Sequence, residues 1–350
     1  MCGNSGMKIW HHLKRPPWRT LVLLVVVLGV MAITYLIWSP GERVQDGRHD
    51  LRTNGIWIQH GWLGHDEWFD EHGRDRTLFR DSARIEALSD QLTQHGIKYV
   101  FPHLCPCDLN GAIAEVDPVQ TEFFLDHFSD KQVIPWVGGV KNEHCIPESK
   151  EWRASFVLSC AELLKRHPRL AGVQVNIEPM RTGNSHFLEL LDELREGMPL
   201  GKIISVAAYP PPTLFHRFPE VHWDEEYFRE VAKRVDQVVP MMYDTAITFP
   251  KFYQNLMKNW TSEVLEWSGD TQVLLGVPAY DDAGVGYHSP KVENISNALL
   301  GIHASLSSED QLPKNYAGVC LYSDWEMDES EWSEFKKEFG KETVQGGAGR

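Results

Sequence analysis

Beyond residue 51 the chain alternates two patterns. Short apolar runs rich in β-branched and aromatic residues fall at 55–60, 97–101, 132–139, 172–178, 202–208, 235–243, 272–280 and 318–322. Their length and composition predict strands. Between them, apolar residues recur every three or four positions, which predicts helices. Residues 81–94 place Ile85, Leu88 and Leu92 on one face and stop at Gly96. Asn184 can cap a helix that presents Phe187, Leu190, Leu191 and Leu194 and closes at Gly197. Trp332, Phe335 and Phe339 give the final helix one apolar face. Eight strand–helix units spaced about 30 to 45 residues apart predict an α/β protein, a single-domain (β/α)8 TIM barrel over residues 52–340. The alternative, a doubly wound open sheet, would carry a Gly-rich phosphate turn after its first strand, and Gln59-His60-Gly61-Trp62 is not one.

The N-terminal pattern differs. Residues 21–38 are an uncharged apolar run, close to the roughly 20 residues a spanning helix needs. Lys8, Lys14, Arg15 and Arg19 precede it without any acid, whereas Arg43 and Arg48 behind it are offset by Glu42, Asp46 and Asp50. The bias predicts a cytoplasmic basic N-terminus at 1–20 and a transmembrane signal-anchor at 21–38 that contacts the lipid bilayer. A linker at 39–51 then leads to an extracytoplasmic barrel, periplasmic or extracellular. A cleaved signal peptide is the rival; the long run and the lack of a small-x-small site favour an uncleaved anchor. The tail 341–350 reads as disordered.

The net charge of −15 over 350 residues repels phosphate backbones and argues against nucleic acid as a partner. Of six cysteines, Cys105, Cys107 and Cys145 fall near the ends of neighbouring predicted strands, and an extracytoplasmic location would allow one disulfide among them. Cys105-Pro106-Cys107 has no second pair at zinc spacing. His60, His65, His103 and His144 show no helical ligand spacing and read as loop histidines. No metal and no cofactor are therefore expected. Trp57, Trp62, Trp68 and Trp136 lie at or just past strand ends, as stacking platforms or as packed loop anchors.

Chemistry concentrates on the fourth strand. Side chains alternate along a strand, so Gln174, Asn176 and Glu178 share one side while Val173, Val175 and Ile177 face the surrounding helices. Polar groups aimed into a barrel must be hydrogen-bonded or they are costly. Three of them ending in a carboxylate at the rim suggest an active face; a satisfied polar ladder is the alternative.

The run Ala171-Gly172-Val173-Gln174-Val175-Asn176-Ile177-Glu178 resembles the fourth-strand signature of family 18 glycoside hydrolases, the chitinase-like enzymes, which reads Asp-Gly-x-Asp-x-Asp-x-Glu. Met241-Met242-Tyr243-Asp244 resembles the sixth-strand Met-x-Tyr-Asp. Gly138-Gly139, Tyr99-Val100-Phe101 and Leu275-Gly276-Val277-Pro278-Ala279-Tyr280 resemble motifs of the third, second and seventh strands. Tyr322, with Trp325 behind it, takes the place of the eighth-strand Trp. Asn176 replaces the usual Asp, an Asn-x-Glu arrangement similar to that of family 85 endo-β-N-acetylglucosaminidases.

The resemblance implies a glycosidase that cleaves a β-glycosidic bond next to an N-acetylhexosamine in chitin, peptidoglycan or N-glycans. The partner would be an N-acetylated oligo- or polysaccharide. Catalysis would be substrate-assisted and retaining: the acetamido oxygen attacks its own anomeric carbon and no second carboxylate is the nucleophile. Glu178 would be the general acid, Asn176 and Tyr243 would serve the acetamido group, and Asp244, Gln174, Trp57, Phe101, Tyr209, Met241, Tyr280, Tyr322 and Trp325 would bind substrate. Two alternatives stay open: a carbohydrate-binding barrel that has lost turnover, and a conventional retaining glycosidase in which Asp324 or Glu326 is the nucleophile.

Overall fold

A computed structural model describes residues 18–213, 218–281 and 287–341. The expected basic N-terminus up to residue 17 and the expected disordered tail beyond Lys341 lie outside the described residues. The chain divides into two compact units, residues 1–39 and 40–350.

In the first unit, helix α1 (Trp18–Ile37) runs for 20 residues with no acidic side chain and none buried. At 1.5 Å per residue this is about 30 Å, the thickness of a bilayer's hydrocarbon core. The helix starts slightly before the expected span because Trp18, Arg19 and Thr20 extend the same turns. It is long and apolar enough to cross a membrane, a description a signal sequence also meets.

The second unit is the expected (β/α)8 barrel. Its strands are β1 (Asn54–Ile58), β2 (Ile97–Pro102), β3 (Gln132–Val133), β4 (Trp136–Val140), β5 (Gly172–Glu178), β6 (Ile203–Ala208), β7 (Gln237–Pro240), β8 (Gln272–Pro278) and β9 (Tyr316–Tyr322). All pairs are parallel, in the order β3-β2-β1-β9-β8-β7-β6-β5-β4. β3 and β4 are two halves of the single run expected at 132–139, split at Pro135, which has no N–H for the ladder. β3 pairs with β2 and β4 with β5. Ile134 N–H donates to the Val100 carbonyl at 2.9 Å, and Gln174 N–H to the Pro135 carbonyl at 2.8 Å. One broken stave therefore joins both ends of the sheet and closes it.

Each stave is followed by an outer helix: α3 (Ser82–Gln94), α4 (Pro118–His127), α5 (Lys150–Arg166), α6 (Ser185–Gly197), α7 (Glu225–Ala232), α8 (Pro250–Trp267), α9 (Ile295–Leu306) and α10 (Glu329–Glu338), with a short extra helix α2 (Asp66–His72) in the first loop. Caps set the boundaries. Asn184 accepts from Phe187 N–H at 3.1 Å to start α6, Asp81 caps α3, and Asp328 with Glu331 forms a capping box on α10.

Alternation along the strands builds two cores. Val173, Val175 and Ile177 of β5 join Phe156, Phe187, Leu190 and Leu194 in the layer between sheet and helices. Trp57, Phe101, Ile134, Trp136, Val239, Leu274 and Cys320 fill the barrel itself. A polar ladder crosses that interior. Trp57 Nε1–H donates to Gln174 Oε1 (2.6 Å), Gln174 Nε2 to Ser205 Oγ (3.2 Å), Ser205 to Gln237 Oε1 (2.8 Å), and Gln237 Nε2 to Gln272 Oε1 (2.8 Å).

The segment expected as a linker, 39–51, is different in the structure: from Pro40 onward it is packed onto the barrel. Val44, His49 and Asp50 are buried. Glu42 N–H donates to the Leu300 carbonyl at 2.9 Å, and Tyr316 Oη–H to the His49 carbonyl at 2.9 Å. Asp50 accepts from Asn54 Nδ2 at 2.9 Å and from Lys341 N–H at 3.1 Å, tying the start of β1 to the end of the described chain. The mixed charges of this stretch suggest a spacer; the apolar Val44 and the paired polar groups instead pack it against the barrel.

Candidate active site

The carboxyl-terminal ends of the staves surround a cavity of about 330 Å³ lined by Trp57, Trp136, Asn176, Glu178, Tyr209, Pro210, Val221, His222, Met241, Tyr243, Asp244, Tyr287 and Tyr322. Strand alternation explains why β5 supplies two of these. With Val175 and Ile177 drawn outward into the helix layer, Asn176 and Glu178 must point inward. The neighbouring β4 lies tight against them: a Cβ on Gly138, whose φ is +131°, would sit 2.0 Å from the Asn176 carbonyl oxygen. This explains why the third-strand run carries glycine there.

Glu178 is held from both sides. Asn176 Nδ2 donates to Oε1 at 2.6 Å, and the Tyr209 hydroxyl donates to Oε2 at 3.2 Å. Behind it, Lys141 N–H donates to the Glu178 carbonyl at 2.7 Å. Burial pushes the Glu178 carboxyl above the usual carboxylate range; the hydrogen bonds from Asn176 and Tyr209 pull it back, and the charge of Asp244 pushes it further up. A carboxyl so placed can carry a proton into a dry site and give it up. Asn176 is buried, and its Oδ1 has no hydrogen-bond partner among the described residues. Its amide nitrogen is committed to Glu178, so the free lone pairs are on the buried Oδ1 of a residue that lines the cavity.

Aromatic rings make the remaining walls. Tyr243 stacks on Tyr322 (centroids 5.4 Å apart, interplanar angle 16°) and meets Tyr280 edge-on at 5.9 Å. Tyr322 in turn meets Trp57 at 5.6 Å and Trp136 at 6.3 Å, both edge-on. Burial pushes the Tyr243 phenol well above its ordinary value, with Tyr322 next in effect, so it stays a neutral donor.

Asp244 sits at φ +62°, a left-handed conformation unusual for a residue with a side chain. It is held there from behind. Its N–H donates to Glu293 Oε2 at 2.6 Å, its Oδ1 accepts from the Tyr280 hydroxyl, and His288 Nδ1 lies 3.3 Å away. Glu293 also accepts from the Thr245 hydroxyl at 2.9 Å. His288 Nε2 faces the Tyr280 carbonyl at 3.2 Å, while Nδ1 faces Asp244 and, at 3.6 Å, Glu293. Both ring nitrogens therefore face acceptors only. Burial works against a charge there, but the carboxylates outweigh it and push His288 up to about 9, making it an imidazolium at neutral pH. Asp244, His288 and Glu293 bring one ligand atom each within 4.8 Å of one another and are the described residues best placed to hold a divalent cation. The Glu293 oxygens already serve backbone N–H groups, and the imidazolium supplies the positive charge.

The structure thus gathers Glu178, Asn176, Tyr243, Asp244, Trp57, Tyr209, Met241 and Tyr322 around one cavity. Four nominated residues lie elsewhere. Gln174 belongs to the interior ladder, and Phe101 is buried against Trp57. Tyr280 stands behind Asp244, and Trp325 packs edge-on against Tyr322 from outside. Asp324, pushed up to about 6 by burial, lines a separate depression with Gln59, Trp62 and Arg84, so it does not face Glu178 across the cavity.

Of the four tryptophans singled out, Trp57 and Trp136 line the cavity. Trp62 packs on Phe79 and Phe124, and Trp68 stacks on His60 at 4.0 Å. His60 and His65 are pushed down to about 4, mainly by burial, and are neutral. Sequence reasoning missed His288 and Glu293. They follow the seventh run at no motif spacing, and only folding brings them under Asp244.

No protein-family model matches this sequence, and no curated protein matches it. Solved structures do. The chain is similar to a chitinase from Chromobacterium violaceum ATCC 12472 (TM-score 0.56, 15% identity, covering 83% of this chain and 99% of that one). It is also similar to the spore cortex-lytic enzymes SleL of Bacillus cereus and Bacillus megaterium QM B1551 (each TM-score 0.52, 11% identity, covering 82% of this chain and 74% of that one). At these identities the likeness is one of fold: all share the barrel.

Proposed function

We propose that this protein is a retaining glycoside hydrolase that cleaves a β-glycosidic bond next to an N-acetylhexosamine, with Glu178 as general acid. One observation carries the reading: a half-buried carboxyl, hydrogen-bonded by Asn176 and Tyr209, sits beside an Asn176 Oδ1 that has no partner among the described residues, in a cavity walled by Tyr243, Tyr322, Trp57 and Trp136. An acetamido group has one N–H and one carbonyl oxygen. Asn176 Oδ1 accepts the first. The Tyr243 hydroxyl donates to the second and orients it toward the anomeric carbon.

Glu178 gives its proton to the departing glycosidic oxygen as the acetamido oxygen bonds to the anomeric carbon. The resulting oxazolinium is opened by water, whose proton returns to Glu178, so the configuration is retained. The other carboxylate lining the cavity, Asp244, is tied by Tyr280 and His288 and serves to hold the sugar ring. Aromatic faces supply the apolar platform that sugars need. Structures of the same fold named as a chitinase and as spore cortex-lytic enzymes support an N-acetylated polysaccharide as substrate.

The same reading makes residues 21–38 an uncleaved anchor in the bilayer, with residues 1–20 in the cytoplasm and the barrel outside. Protection of the barrel from external protease in intact cells would overturn that orientation.

The test is turnover of a chitobiose-type substrate with a reporter leaving group. Glu178→Gln is expected to cost about 10²–10⁴-fold in kcat with circular dichroism unchanged. One feature favours a second reading: Asn176 cannot supply the full negative charge that a carboxylate would give the oxazolinium. If the wild type binds chitooligosaccharides but never turns them over, the barrel is a carbohydrate-binding protein.

A further inference from the structure

We propose that Cys107 and Cys145 are joined by a disulfide that clamps the rim of the active site. Cys107 lies in the loop after β2, and Cys145 in the loop after β4. Their sulfurs are 3.4 Å apart, and both residues are buried. The two loops are already in register: Cys107 N–H donates to the Gly138 carbonyl at 2.8 Å, and Lys141 bridges to Cys145. A bond of about 2.05 Å needs the sulfurs to approach by roughly 1.4 Å, within reach of small side-chain rotations.

The other cysteines are differently placed. Cys105 points its sulfur at the Trp136 carbonyl, at 3.4 Å. Cys160 lies on α5, and Cys320 packs inside the barrel. Two thiols in contact gain only a weak hydrogen bond from each other, so a covalent link is the stronger use of the pair.

The chemistry needs an outside disulfide such as oxidised glutathione or a thiol oxidoreductase. The Cys107 thiolate attacks it and forms a mixed disulfide, releasing one thiol. The Cys145 thiolate then displaces the second thiol, so two electrons and two protons leave the protein. The hydrogen bond with Cys107, and then burial, hold the Cys145 thiol far above its ordinary value. The folded protein therefore exchanges slowly, and the bond forms during folding, before the loops close. It would enclose β3 and β4, whose last residue, Val140, pairs with Glu178 and whose neighbour Lys141 binds the Glu178 carbonyl. The clamp thus holds the edge against which the acid is set.

In the cell the link rests on the extracytoplasmic placement proposed above, because cytosolic thiols stay reduced. The full chain is purified in detergent without reductant, alkylated under denaturing conditions, digested and weighed. The expected result is four alkylated cysteines of the six and one peptide pair joining Cys107 to Cys145. Reduction should lower Tm by roughly 3–8 °C. Cys145→Ser should lose that response to reductant, and Cys105→Ala should keep both the link and the response. Six free thiols after refolding in a glutathione redox buffer, or a link through Cys105 or Cys160, would overturn the pairing. A link that forms in that buffer but not in cells upholds the pairing and overturns the placement.

Discussion

Replacing Asn176 by Asp puts a second ionisable oxygen where an amide N–H now donates to Glu178 Oε1 at 2.6 Å. Two full charges at that separation repel by about 6 kcal/mol at an effective dielectric of 20. The pair cannot ionise together and must share one proton. The sign is fixed: a like charge disfavours the deprotonated acid, so the proton is held to higher pH. If solvent and side-chain movement remove three quarters of the repulsion, the remaining ~1.5 kcal/mol is still more than tenfold in proton affinity. The basic limb of the kcat/KM profile, set by loss of the Glu178 proton, is therefore expected to move up by at least one pH unit.

Turnover near neutrality should be kept or raised, since the new carboxylate faces the oxazolinium. The assay is reporter release from a chitobiose-type substrate between pH 4 and pH 9 for wild type, Asn176→Asp and Glu178→Gln. An Asn176→Asp enzyme whose basic limb stays in place, or whose activity vanishes while the fold persists, refutes the substrate-assisted site.

Other outcomes follow from the same geometry. His288 is raised to about 9, above its unfolded value, so its contribution to stability is full below about pH 6.5 and is lost as pH rises through 9. Tm measured from pH 7 to 10 should fall by the equivalent of about 1–3 kcal/mol, and His288→Gln should flatten that slope. Gln174→Ala strands Trp57 Nε1 inside the barrel and removes the donor to Ser205 Oγ, which keeps its bond to Gln237; urea unfolding should show a loss of about 1–3 kcal/mol. Gly138→Ala drives a methyl into the Asn176 backbone and should cost both stability and kcat, whereas Gly183→Ala, with nothing within 4 Å of its Cβ, should cost only its backbone strain. Equal losses in the two glycine variants would show that close packing of β4 on β5 is not what glycine provides.

Much of this protein is legible along the chain, because period and alternation are local properties. The eight runs, the helical stretch at 81–94 and the cap at Asn184 depend on neighbours within a few residues, and they reappear as staves and helix starts. The inward direction of Asn176 and Glu178 follows from the outward pull of Val175 and Ile177. Local pattern also misleads where the deciding partner is distant. Residues 40–51 have the composition of a spacer, yet Leu300, Tyr316 and Lys341 give them a surface to pack on.

Gln174 has the same parity as Glu178 but sits deeper, where Trp57 and Ser205 absorb its amide; depth in a barrel is set by the stagger of all the staves together. His288 and Glu293 are ordinary residues in sequence. They matter because closure of the barrel sets an imidazolium against the Asp244 carboxylate and a carboxylate against its backbone N–H. Sequence fixes which way a side chain faces on its own strand, while only closure decides what it meets there, since the partners come from elements tens to hundreds of residues apart.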